Sequence, residues 1–140
     1  MVWDGHGGLL ENRPASMLRP ARAARSFLFS ERGHEEVAER LPDSCLSTVN
    51  LAEVLGRFAR DGIDPVTVLR RLEATPVELV GFDNEDAARV AALVPRTGHL
   101  GLSLGDRACL ALAIARDVPA LTADRSWEGL EVGVEIRVVR

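Results

Sequence analysis

From Phe27 onward the apolar residues fall on two alternating periods. Short runs rich in β-branched and other apolar residues give way to stretches with apolar positions three and four apart. A short helix over 35–41, stopped by Pro42, is followed by a strand over 45–49. Leu51, Val54, Leu55 and Phe58 then mark one face of a helix over about 50–61, with Gly62 as its stop. Asp64 followed by Pro65 opens a helix through residue 72 that buries Val68, Leu69 and Leu72. A strand over 77–82 leads to Asp83, which caps a helix predicted to end before Pro95. A loop over 96–102 precedes a helix over about 103–116, whose unbroken apolar run at 108–115 predicts burial nearly all round. Strands over 119–122 and 134–139, separated by a turn and short helix over 123–129, complete the pattern. Strands alternating with helices predict an α/β domain: a three-layer α/β/α sandwich around a mainly parallel sheet.

Residues 1–25 read differently. Gly5, Gly7, Gly8, Pro14 and Pro20 interrupt any period, so this segment is read as atypical or loosely structured, ahead of one domain over 26–140. At 140 residues there is room for a single core. Cys45 and Cys109 have no metal-ligand spacing and are read as buried, reduced thiols. No apolar run reaches membrane-span length and no signal-peptide pattern opens the chain, so a cytoplasmic protein is expected.

All 17 basic residues are arginine, against 21 acids. The first 25 residues carry a balance of +2, which leaves −6 on the rest. An acidic body is a poor general binder of polyanions, so any nucleic-acid role needs local arginines and a metal ion. In open parallel sheets ligands bind beyond the carboxyl ends of the strands. Glu53, Asp106 and Asp124 all fall at strand-to-helix junctions or helix starts on that edge. Each has an ordinary structural role open to it: an acid in a first turn complements the helix dipole, Glu53 is spaced to pair with Arg57, and Asp124 can cap a helix. Together they mean more. Two carboxylates ~4 Å apart repel by roughly 4 kcal/mol at an effective dielectric of about 20. Such a cluster takes up protons or holds a hard cation, and oxygen donors without Cys or His suit Mg²⁺ or Mn²⁺. A divalent ion there is equipped for phosphodiester hydrolysis.

Three runs carry a resemblance: Ser47-Thr48-Val49-Asn50-Leu51-Ala52-Glu53-Val54, Gly101-Leu102-Ser103-Leu104-Gly105-Asp106-Arg107-Ala108, and Leu121-Thr122-Ala123-Asp124-Arg125-Ser126-Trp127. In that order they resemble the PIN-domain nucleases of the VapC toxin type, over about residues 27–140. The resemblance implies a Mg²⁺-dependent endoribonuclease with a Rossmann-like sheet, an RNA substrate, a homodimer and a cognate antitoxin, with no membrane association. It makes Glu53, Asp106 and Asp124 catalytic, metal-pocket acids, with Ser103 and Thr122 as polar supports and Asn50 on the approach. Arg107 and Arg125, adjacent to two of these acids, are the candidate phosphate contacts. The family's first strand normally ends in an aspartate, and here Pro20 falls in that slot. Asp4 supplies the missing metal ligand only if the intervening residues loop out. The alternative is a degenerate, non-catalytic PIN-fold binding module.

Residues 101–105 also match the G-x-S-x-G pattern of serine hydrolases. That pattern needs a strand feeding Ser103 and a later histidine, whereas His6, His34 and His99 all precede it. Ser103 is therefore read as a helix cap. Trp3 and Trp127 are read as packing residues rather than base-stacking platforms.

Overall fold

The structure, a computed structural model, describes residues 16–18, 44–122 and 124–138. The predicted helix over 35–41, Trp3 and Asp4 lie outside the described residues. Strands β1 (Ser16–Leu18), β2 (Ser44–Ser47), β3 (Glu78–Val80), β4 (Ala120–Thr122) and β5 (Ile136–Val138) form one sheet in the order β3-β2-β1-β4-β5. Every neighbouring pair is parallel. Between the strands run α1 (Thr48–Arg60), α2 (Pro65–Glu73), α3 (Asn84–Thr97) and α4 (Leu104–Arg116). The expected α/β/α arrangement with a parallel sheet is observed.

Strand β1 is the difference with the largest consequence. It lies within 1–25, where the hydrophobic pattern marks no element, yet it is the central strand of the sheet. Met17 pairs with Cys45 on one side and with Ala120 on the other. Three residues between Pro14 and Pro20 are too few to show a period. The strand is defined by hydrogen bonding to two partners distant in sequence.

The helix starts follow local chemistry. Ser47 Oγ accepts from Val49 N at the start of α1, and Asp64 with Pro65 opens α2 as predicted. Asp83 and Asp86 form a reciprocal capping box at α3, and Ser103 and Asp106 form another at α4. Helix α3 does not stop before Pro95 but runs through it to Thr97. The proline sits in the last turn, where only one backbone bond is forfeited, and the Thr97 hydroxyl donates to Leu93 O (2.7 Å).

Helix α4 forms the centre of the molecule. Ala108–Ala113 are buried, while Ile114 and Ala115 emerge, so burial ends two residues earlier than the apolar run predicts. The helix packs on β1, β2 and β4 and against α3. Its core includes Leu110, Cys109, Cys45 and Trp127, and a second cluster joins Val54 and Phe58 of α1 to Val68 and Leu72 of α2. Trp127 is thus a packing residue and unavailable to stack on bases. Both cysteines are buried thiols, neither in a disulfide among the described residues, and burial pushes the Cys45 thiol up to about 12, the main cause being loss of solvent.

Candidate functional site

Parallel strands send their connecting helices back across the sheet, so the N-termini of α1 and α4 open at the edge where the strands end. Strand β2 runs directly into α1, which places Asn50 in its first turn and Glu53 one turn later. Asn50 is fully buried. Its Nδ2 donates to the carbonyl of Gly105 in the first turn of α4 (2.8 Å) and reaches Glu53 Oε2 at 3.4 Å. Asn50 Oδ1 is buried and has no hydrogen-bond partner among the described residues.

Glu53 is an exposed residue, and its carboxylate rests on Gly105 so closely that a side chain there would overlap it. Gly105 therefore brings Glu53 onto the first turn of α4, beside Asp106. That turn also carries the positive end of the helix dipole. Asp106 Oδ2 accepts from Ser103 N (3.0 Å), and Ser103 Oγ accepts from Asp106 N (3.1 Å). Ser103 is thus a cap, as expected. No strand feeds it, because a single 3₁₀ turn over Gly98–Leu100 precedes it. The serine-hydrolase geometry is missing.

Asp124 follows β4. Its N–H donates to the hydroxyl of fully buried Thr122 (3.0 Å), and its Oδ1 accepts from Ser126 N (2.9 Å), starting a 3₁₀ turn over Arg125–Trp127. Thr122 is placed to hold the Asp124 loop. Arg125 is exposed beside Asp124. Arg107 takes another course: it lies two residues beyond Gly105, about 200° around the helix. Its Nε donates to Thr97 Oγ1 (3.0 Å), so the side chain is drawn towards α3 and away from the face that meets Glu53.

Carboxylate oxygens without sulfur or imidazole are the right donor chemistry for a hard divalent ion. Geometry is the stricter test. Among the described residues, no three His, Cys, Asp or Glu side chains are grouped so as to hold a metal ion. The Glu53 carboxylate reaches Gly105, the residue before Asp106, and Asp124 stands at the end of β4 with one oxygen committed to its turn. The chain that continues β1 reads Arg19-Pro20, with no acid before Glu31. The described residues therefore do not complete a cation site. Gly105 is the site residue that sequence reasoning missed, and its signal was a glycine at the second position of a buried helix.

The family model of the PIN domain matches residues 23–132, a span that begins after β1. No curated protein matches the chain. Among solved structures it is similar to a toxin–antitoxin complex from Klebsiella pneumoniae, at 19% identity over 86% of this chain and 99% of that one, with a TM-score of 0.64. It is also similar to VapBC2 from Rickettsia felis bound to a promoter DNA fragment, at 14% identity, covering 89% and 98%, with a TM-score of 0.68. VapBC-5 from Mycobacterium tuberculosis matches at 20% identity, covering 91% and 99%, with a TM-score of 0.58. At these identities the likeness is one of fold.

Proposed function

The chain belongs to the PIN-domain family, and on that premise we propose that it is a metal-dependent endoribonuclease, the toxin of a toxin–antitoxin pair. PIN domains are generally nucleases, and the solved neighbours are toxin–antitoxin proteins. RNA is the proposed substrate, a small antitoxin and a second copy of the chain are the proposed partners, and the cytoplasm is the proposed location. Among the described residues no helix is long and apolar enough to cross a membrane.

The observation that carries this reading is the seating of Glu53 against Gly105, beside Asp106, at the carboxyl edge of a parallel sheet. Glu53, Asp106 and Asp124 are the proposed acids. Thr122 and Ser103 hold the backbone around two of them, and Arg125 is the better placed of the two proposed phosphate contacts. When bound, Mg²⁺ or Mn²⁺ would lower the pKa of an attacking water and stabilise charge on the phosphoryl oxygens. The fourth metal ligand proposed for the pocket, Asp4, lies outside the described residues.

A second reading, a non-catalytic PIN-fold module that binds an antitoxin, is favoured by two observations. The described acids form no three-ligand group, and β1 is followed by Arg19-Pro20 where the resemblance calls for an aspartate. One experiment separates the two. A fluorescent RNA oligonucleotide is incubated with the protein in Mg²⁺ or Mn²⁺ and in EDTA. The nuclease reading expects cleavage that EDTA, Glu53→Gln and Asp106→Asn each suppress. Cleavage by neither metal form, with millimolar Mn²⁺ uptake missing in calorimetry, leaves the binding-module reading.

A further inference from the structure

Gly105 lies in ordinary helical backbone. Among the described residues, the glycines in left-handed conformation are Gly62, Gly101, Gly129 and Gly133. Conformation therefore gives no reason for a glycine at position 105, where alanine would favour the helix. Space does. A Cβ at 105 would run into the Glu53 carboxylate, whereas a Cβ at Gly56, the glycine inside α1, would meet nothing within 4 Å. The other side of the contact is anchored by Asn50. Its amide orientation is fixed, because exchanging Nδ2 and Oδ1 would set two acceptor oxygens 2.8 Å apart across the Gly105 carbonyl. This bond joins residues 55 positions apart and holds the first turns of α1 and α4 together.

We infer that Gly105 is a positioning residue for Glu53: with Asn50 holding the two helices at this spacing, the bare α-carbon at 105 lets the carboxylate lie on the first turn of α4. The inference rests on the reading of Glu53 as an acid of the site. Any side chain at 105 displaces that carboxylate while leaving the helix intact.

Two measurements test it. Urea unfolding of the parent, Gly105→Ala, Glu53→Ala and the double variant reads the contact without reference to activity. With Glu53 truncated, Gly105→Ala stabilises by about fivefold in the unfolding equilibrium constant, the helix-propensity gain. With Glu53 present the gain is smaller, by the cost of moving a flexible carboxylate aside. An equal effect in both backgrounds overturns the inference. Cleavage of an RNA oligonucleotide in Mn²⁺ then reads the consequence. Gly105→Ala lowers turnover by roughly 10²-fold, the effect of a misplacement of about 1 Å, and Gly105→Ala/Glu53→Asp recovers part of it because the shorter acid vacates the contested space. A Gly105→Ala protein that cuts as fast as the parent, while Glu53→Gln does not, overturns the positioning role and leaves the nuclease reading standing. If Glu53→Gln itself cuts at the parent rate, the assignment of Glu53 to the site fails, and the urea cycle alone decides whether Gly105 seats it.

Discussion

Helices α3 and α4 begin with the same device, a capping box whose third helical residue is an aspartate. At α3, Asp83 and Asp86 exchange hydrogen bonds of 2.8 and 3.0 Å. At α4, Ser103 and Asp106 exchange bonds of 3.1 and 3.0 Å. The surroundings differ. Asp86 is paired with Arg89 of its own helix at 2.9 Å. Arg107, next to Asp106, is drawn off to Thr97, while the acid brought to the α4 turn is Glu53. One acid is paired within its own helix, and the other stands in the turn that the Glu53 carboxylate reaches. A plain cap and a proposed site acid thus share one local pattern, and only neighbours remote in sequence tell them apart.

The sharpest contrast between the boxes is chemical. Asp106→Asn should reduce RNA cleavage by roughly 10²- to 10³-fold, as loss of a transition-state-stabilising group does, whereas Asp86→Asn should leave the rate unchanged. Single-turnover assays on both variants check this. The helices behind the boxes differ next. Leu110→Ala, in the fully buried middle of α4, should cost about 3 kcal/mol in urea unfolding. Val94→Ala, on the exposed side of α3 with the residue 46% accessible, should stay within about 0.5 kcal/mol. A smaller effect is expected of Ser103→Ala, about 1 kcal/mol of stability from the lost cap, read in the same titration.

The smallest effect is a pH dependence. The backbone N–H of Asp86 holds the Asp83 carboxyl below its ordinary value of 3.8, helped by Arg89. A group whose folded pKa is depressed stabilises the fold above its unfolded pKa and loses that contribution as pH falls through the folded one. The parent should therefore lose more stability than Asp83→Asn between about pH 4 and pH 2, because asparagine caps without titrating. Parallel acid-titration curves for the two proteins would contradict this.

Much of this was legible in the sequence where local chemistry decides. The caps at Asp64, Asp83 and Ser103 declare their helices, and the spacing of Val54 and Phe58 declares the buried face of α1. What was missed depends on partners far along the chain. Strand β1 has three residues and no period, and it exists because β2 and β4 hydrogen-bond to it. Helix α3 outlasts Pro95, because a proline in a last turn costs one bond rather than the helix. Among the candidate site residues, Glu53 is brought to the turn that carries Asp106, but through Gly105, a residue without chemistry of its own. Arg107 looked equivalent to Arg125 in sequence, and helix periodicity turns it to the other side.

The central claim, that the first turn of α4 belongs to a divalent-cation site and the first turn of α3 does not, is tested most directly by titrating Mn²⁺ into isotope-labelled protein and following amide resonances. The account predicts early paramagnetic broadening at Gly105 and Asp106, with Asp83 and Asp86 unaffected. Equal broadening at both turns, or none at α4 with millimolar Mn²⁺, would contradict it.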